Sequence, residues 1–301
     1  MLTRVLWNAC FAGLAVLTFS VAGCGKMKHS AAPDQAAYTA FDNGAVPPVD
    51  DDVESSSVGI DDRDAMRLAQ PITGPTIISS PGHYRLTDDF VAQEDGIVIV
   101  ASHVRLWLGE HRLFGPGNKV GRAVVIDGAD DVTVVGGRIE HFGFGAVLLG
   151  ASQCRLSRLE ILGGDETADP PNGNPPQVGI MLINSGSNVV TRNRLSRVNL
   201  GIFVRGGGSS SNRIDANEVV GGDHGLLAIC YNPAPVGDPA GPHDDRVRLN
   251  LLARFGTGIA ASAQSAENQF ELNTIRYFVS AYSDQNGTNV FRNNRTEQVA
   301  P

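Results

Sequence analysis

Apolar and polar residues alternate along this chain in short runs that keep returning. Gly179-Ile180-Met181-Leu182, Gly201-Ile202-Phe203-Val204, Gly225-Leu226-Leu227-Ala228 and Gly258-Ile259-Ala260-Ala261 each open on Gly and continue apolar. Nearer the N-terminus the alternation runs through Gly96-Ile97-Val98-Ile99-Val100, Val104-Arg105-Leu106-Trp107-Leu108, Ala123-Val124-Val125-Ile126, Val132-Thr133-Val134 and Gly145-Ala146-Val147-Leu148-Leu149. A period of two belongs to strands, and it sends Ile180 and Leu182 inward and Met181 and Ile183 outward. Strands this short cannot bury their apolar positions alone, so each must stack on a neighbour.

A second phrase fixes how they stack. Asn188-Val189-Val190-Thr191-Arg192-Asn193 returns as Asn212 to Asn217, Asp245 to Asn250, Asn268 to Asn273 and Asn289 to Asn294, with closing Asn residues 24, 33, 23 and 21 positions apart. A period in the low twenties built from short strands is the mark of a solenoid. An Asn recurring at one bend stacks on the Asn of the next coil, each amide donating and accepting along the stack, and Asn tolerates the left-handed backbone that a sharp bend needs. In the earlier coils Gly136 and Leu159 stand where the Asn is expected. The count predicts an all-β, parallel solenoid of about eight coils, a rod of roughly 40 Å.

The 35 Gly residues and 6% aromatic content suit thin coils with many tight turns, and a net charge of −8 argues against a nucleic-acid partner. The N-terminus is different. Arg4 precedes an uncharged, largely apolar run from Val5 to Phe19 that ends Val21-Ala22-Gly23-Cys24. The run reads as a signal peptide, residues 1–23. Its end resembles the bacterial lipobox, which implies lipidation of Cys24 and a cell-envelope location; Gly25 after the Cys resembles outer-membrane sorting. Residues 24–70, with Pro47-Pro48 and Asp50-Asp51-Asp52, read as an acidic tether in which Asp61 to Ala69 forms at most a short helix. The acidic run has no calcium-site spacing. The folded domain is expected over 71–301. Within it Cys154 and Cys230 fall about three coils apart, too far for a disulfide, and read as small inward residues.

The phrases Pro81-Gly82-His83-Tyr84-Arg85-Leu86, Val104 to Leu108, Asp131-Val132-Thr133-Val134 and the Gly-Ile…Asn repeats resemble right-handed parallel β-helix proteins of the pectin-lyase-like superfamily, over about residues 76–298. The resemblance implies the fold's right hand. It leaves function open, because the superfamily includes lyases, hydrolases, epimerases, adhesins and accessory factors.

Two repeats are longer than the rest, with the excess at Gly164 to Gln177 and at Asn232 to Asp244. Insertions mark the binding face of a solenoid. These two enter and leave one sheet two coils apart, around the coil that carries Phe203 and Arg205. The expected groove has Phe203 as floor and Asp165, Asp169 and Asp223 as walls, with Arg205, His243 and Asp244 as candidate catalytic groups and Asp245 as a further acid. The resemblance implies chemistry that removes the proton beside a sugar carboxylate, which needs a base and a cation, or calcium, to hold the developing charge. Pro242-His243-Asp244 resembles part of the Asp-Pro-His motif of alginate epimerases, but Gly241 stands in place of its Asp. Each group also has a plainer reading, as solvated loop, turn or ion pair. The outward positions Val125, Met181, Ile183, Phe203, Leu227 and Ile229 form an apolar face rather than a row of carboxylates, which suits sugar stacking, a covering loop or a protein partner. The sequence thus points to an envelope-anchored polysaccharide-binding β-helix, with lyase-type or other carbohydrate-modifying activity in question. The alternative is a non-catalytic assembly lipoprotein that binds an envelope protein through the apolar face.

Overall fold

A computed structural model describes residues 62–298 except 118–119, 164–176, 223–224, 233–240 and 286. Every strand pairing in it is parallel, and each partner lies one coil away. Three parallel sheets run the length of the molecule. Sheet 1 begins at Thr76–Ile78 and passes through Ile97–Ile99, Arg122–Asp127, Phe144–Leu149, Val178–Ile183, Leu200–Arg205 and Leu227–Asn232. It ends in the C-terminal halves of Leu251–Ala261 and Thr274–Asp284. Sheet 2 includes Gly82–Leu86, Arg155–Ser157, Val189–Thr191, Arg213–Asp215, Arg246–Arg248, Gln269–Glu271 and Val290–Arg292, and sheet 3 includes Arg194–Val198, Glu218–Gly221 and Arg295–Glu297.

Following the strands from sheet 1 through 2 to 3 gives nine coils among the described residues. The coil beyond the sequence count is the first. Its sheet-1 strand, Thr76–Ile78, is three residues long and pairs with Ile97–Ile99, too short for its alternation to stand out. The fold also starts slightly before Pro71. Gln70–Ile72 pairs with Tyr84–Leu86, and the helix Asp62–Leu68 packs on Gly82–Leu86 at the N-terminal end.

The interior is one continuous apolar core. Ile180, Leu182, Ile202 and Val204 point into it from sheet 1, as the alternation requires, against Val190, Ile214 and Val247 from sheet 2. Near the C-terminal end aromatic rings fill it: Tyr231 meets Phe270 edge-on at 5.4 Å, and Phe270 stacks on Phe291 at 4.8 Å.

The Asn phrases build two ladders, one on each side of sheet 2. The first runs Asn188, Asn212, Asp245, Asn268, Asn289, and the second Asn193, Asn217, Asn250, Asn273, Asn294. At each interior Asn step the side-chain oxygen accepts the backbone N–H and the amide of the preceding coil, as Asn217 does from Asn193 at 3.0 and 2.9 Å. The side-chain NH2 also donates to a carbonyl of the preceding coil, Val190 O for Asn217 at 2.9 Å. These groups are fully buried, so each bond satisfies a donor or acceptor that the bend would otherwise orphan. The ladders begin on Cys154 N and Leu159 N, which donate to Asn188 and Asn193.

The left-handed residue is not the ladder Asn, contrary to expectation. It is the residue before it: Ser187, Ser211, Asp244 and Glu267 on one side, Arg192, Ala216, Leu249, Leu272 and Asn293 on the other, all with φ between 52° and 59°. The Asn is needed for its hydrogen bonds, and the ladder holds its neighbour in the costly conformation.

Candidate functional site

The outer face of sheet 1 carries three columns of side chains. The central column runs Val125, Val147, Met181, Phe203, Cys230. Toward the strand starts lie Phe144, Val178, Leu200 and Leu227, and toward the strand ends Leu149, Ile183, Arg205 and Asn232. The apolar face expected from sequence is therefore present, but it is sealed. Phe144, Val147, Val178, Met181, Leu200, Phe203 and Cys230 form a second core outside the sheet, with Leu149, Ile183 and Leu227 packed against it. Phe203 is 5% exposed, so it is a packed ring and not an open floor for a sugar. The same burial removes this column as a bare docking face for a protein.

One register differs from expectation. Leu200 pairs with Leu227 and Ile202 with Ile229, so Ala228, not Gly225, lies opposite Gly201. Ile229 consequently points inward to the main core, and Cys230 lies on the outer face between Phe203 and Ala260. A shift by an odd number of residues exchanges the two faces of a strand, and the Gly before Leu226 misled the alignment. Both Cys154 and Cys230 are unbridged and buried. Burial pushes their thiols up to about 11 and about 12, respectively, which leaves no thiolate for chemistry.

Polar groups gather instead at the corner between sheets 1 and 2, in coils 6 and 7. Arg205 ends its sheet-1 strand in register with Asn232 of the next coil and is half-buried. The two long insertions meet sheet 1 at Val178 and Asn232, on coils 5 and 7 either side of Arg205's coil. Asp165, Asp169 and Asp223 lie outside the described residues, as do His224 and Cys24. His243 bridges Ser210 below and Ala266 above, with its side chain 41% exposed and Nε2 3.9 Å from Asp244 Oδ2. Its Nδ1 lies 3.3 Å from the Gly241 carbonyl. Asp244 is the left-handed corner residue of its coil, exposed to solvent.

Gly241 explains the departure from the Asp-Pro-His pattern. A Cβ there would lie 2.6 Å from the Gln264 carbonyl, so an Asp side chain has no room. The stacking of coils 7 and 8 dictates Gly at this position.

Beneath His243 sits Asp245, a carboxylate in the place of a ladder amide. Its Oδ1 accepts from Asn212 N at 2.7 Å and Nδ2 at 3.2 Å, while its own N–H donates to Asn268 Oδ1 at 3.0 Å. Desolvation raises its pKa to about 7, against the lowering effect of the Asn212 bonds, Tyr231 and His243. Burial raises the pKa of the Tyr231 hydroxyl well above its ordinary value, and the nearby Asp245 carboxylate adds to the rise. An exposed imidazole over a carboxylate that titrates near neutrality is an arrangement able to take and return a proton. Asp245 itself is 1% exposed, so of the run His243 to Asp245 only His243 and Asp244 can touch a ligand. Among the described residues no three His, Cys, Asp or Glu side chains come together as a metal site.

Sequence reasoning missed three features. Ser185 and Ser209 form a short hydroxyl ladder, taking Ala151 N at 3.1 Å and Ser185 N at 3.2 Å. Asp95 pairs with Arg122 at the start of sheet 1. Asp215 is buried on the outer face of sheet 2 between Arg213 and Arg248. The first had a signal: Ser stands three positions before Asn188, Asn212 and Asn268. The Asp95–Arg122 and Asp215–Arg248 pairs depend on which strands become neighbours.

A family model described as right handed beta helix region matches residues 117–275. The chain belongs to the right-handed β-helix family. Solved structures similar to this β-helix include the Dettilon tailspike protein (gp208), at 14% identity and a TM-score of 0.43, over 77% of this chain and 61% of that one. An alginate lyase from Paenibacillus sp. str. FPU-7 is similar at 12% identity and a TM-score of 0.39, over 78% of this chain and 94% of that one. A tailspike of E. coli bacteriophage HK620, solved with a pentasaccharide, is similar at 10% identity and a TM-score of 0.32, over 74% of this chain and 54% of that one. The chain thus spans 61% of the Dettilon tailspike's length. No curated protein matches this β-helix in sequence.

Proposed function

We propose that this β-helix is an envelope lipoprotein, anchored through Cys24, that binds polysaccharide along the corner between sheets 1 and 2. The observation that carries the reading is the placement of Arg205 at the end of its sheet-1 strand in coil 6 and of His243 and Asp244 at the corresponding corner of coil 7, where the second insertion rejoins the coil after leaving Asn232. Arg205 supplies a fixed cation for a sugar carboxylate. His243 presents an imidazole 41% exposed at this corner, and any modification of the sugar runs through it as base or acid. Asp244 lies beside it, its carboxylate 3.9 Å from the ring Nε2. With Phe203 packed away, the ligand lies along the rim of sheet 1 and not on its face.

The test is incubation with a panel of uronic-acid polysaccharides, with and without calcium, while absorbance of unsaturated products is followed near ~235 nm. Activity lost in His243→Ala and Arg205→Ala supports the reading. Binding and activity unchanged in both variants would remove this corner from the function. A second reading, a non-catalytic assembly lipoprotein, is favoured by one observation: the outer face of sheet 1 has a sealed apolar cluster where an acid-dependent lyase would need carboxylates. Silence across the panel together with retained, unmodified glycan would favour it.

A further inference from the structure

The outer face of sheet 2 has a different character from the rest of this acidic molecule. Its two outward columns follow from the registers. One runs His83, Arg105, Thr133, Arg155, Val189, Arg213, Arg246, Gln269. The other runs Arg85, Trp107, Val135, Ser157, Thr191, Asp215, Arg248, Glu271, Arg292. Seven arginines and two carboxylates therefore share one face of a protein whose net charge is −8.

The carboxylates organise the arginines without cancelling them. Asp215, 1% exposed, lies under Arg213 and Arg248 and accepts from both, Nη2 at 2.9 Å and Nε at 3.3 Å. One negative charge thus aligns two guanidiniums at the surface. Glu271 sits 3.5 Å from Arg246. Between Arg105 and Arg213 the face is floored by the small side chains Thr133, Val135, Ser157 and Thr191, which leaves a shallow trough beside Arg155. Trp107, held edge-on by His83 at 5.5 Å, stands at the N-terminal end of that trough. The exposed Arg158 and Arg192 border it on the sheet-3 side.

We propose that this stripe is a binding surface for a linear polyanionic polysaccharide, separate from the corner that holds Arg205 and His243 and independent of any activity there. Shape and charge select this occupant. The sheet is three residues across, about 10 Å, while the stripe follows the stacking axis for roughly 40 Å. Arg105, Arg155 and Arg213 recur every two coils, about 10 Å apart, suited to carboxylates spaced along an extended chain. Exposed Asp131 and Asp244 line the sheet-1 side, at 58% and 53% side-chain exposure, and would repel a flat anionic bilayer that spread beyond the stripe. Elsewhere the negative surface turns a polyanion away, so its field guides the chain to this face. Trp107 offers a ring for a sugar to stack against.

Binding of full-length protein to sodium alginate and polygalacturonate is measured beside neutral dextran and phosphatidylglycerol vesicles, at low and high salt. The expected result is binding to both polyuronates, none to dextran, and weakening with salt. The triple variant R105E/R155E/R246E should lose roughly tenfold or more in affinity, while R105K/R155K/R246K, which keeps the charge, should lose much less. Arg194→Glu, a charge reversal at an exposed position on the outer face of sheet 3, should bind like the parent. Circular dichroism establishes that the variants are folded. Undiminished polyuronate binding by the folded glutamate variant overturns the proposal. So does binding to the vesicles and not to the polyuronates, which would make the stripe a membrane-facing surface. Loss in Arg205→Ala with none in the folded glutamate variant would assign the glycan to the corner and leave the stripe without a role.

Discussion

At the scale of single residues, Asp245 is the exception that tests the ladder. An Asn in its place would donate to Asn268 Oδ1 and to a carbonyl of the coil before; a carboxylate can do neither. Folding raises its pKa from 3.8 to about 7 by burial. The folded state therefore keeps the proton over a range in which the unfolded chain has released it. The resulting stability is fully present below about pH 4, declines as pH rises, and is lost above about pH 7. Asp245→Asn should remove that dependence. At about pH 8 the variant should be more stable than the parent by about 2–4 kcal/mol, and near pH 4 the two should be close. Denaturant melts across this range check it; equal pH profiles would mean that the carboxylate keeps contact with water. The imidazole of His243 over Asp245 suggests why the acid would be kept at a cost in stability.

At the scale of the element, the glycine near the start of the sheet-1 strands of coils 4 to 6, Gly145, Gly179 and Gly201, is a packing requirement. A Cβ on Gly201 would lie 2.3 Å from the Ala228 carbonyl and 2.4 Å from Val219 Cγ1, and one on Gly179 2.3 Å from Leu195 Cδ2. The chain passes so close to sheet 3 there that no side chain fits. Gly201→Ala should cost about 2 kcal/mol or more. Gly74→Ala, where nothing lies within 4 Å, should stay within about 0.5 kcal/mol of the parent. Thermal melts of the two variants separate a steric role from a merely conformational one.

At the scale of the whole molecule, no disulfide ties the coils together among the described residues: Cys154 and Cys230 are free thiols. Cohesion comes from the continuous core, the parallel pairings and the ladders, each linking a coil only to its neighbours. With Cys10 and Cys24 replaced by Ser, Cys154 and Cys230 should stay unreactive toward a disulfide reagent at about pH 8, because burial holds both thiols protonated. They should react together on unfolding, and Tm should not change with reductant. Early reaction of one thiol would show that its end of the stack opens first.

Much of this was legible in the chain because a solenoid is built from local patterns. Alternation placed Ile180 and Leu182 inward and Met181 outward, the Asn phrases gave the coil period, and the distance between Cys154 and Cys230 ruled out a bridge. Those properties depend on residues one or two positions apart, or one coil apart, and so they are written along the sequence. Register across coils is different. Gly225 and Ala228 both satisfy the strand pattern, and only stacking on Leu200–Arg205 selects Ala228 and turns Ile229 inward. The burial of Phe203, the meeting of Asp215 with Arg248, the lack of room at Gly241, and the basic stripe on sheet 2 likewise arise between residues twenty or more positions apart. The sequence by itself determined a stacked parallel solenoid and the ladder that holds its bends. Only the tertiary structure decided which side chains share a face, because a contact between coils depends on a register that no single coil contains.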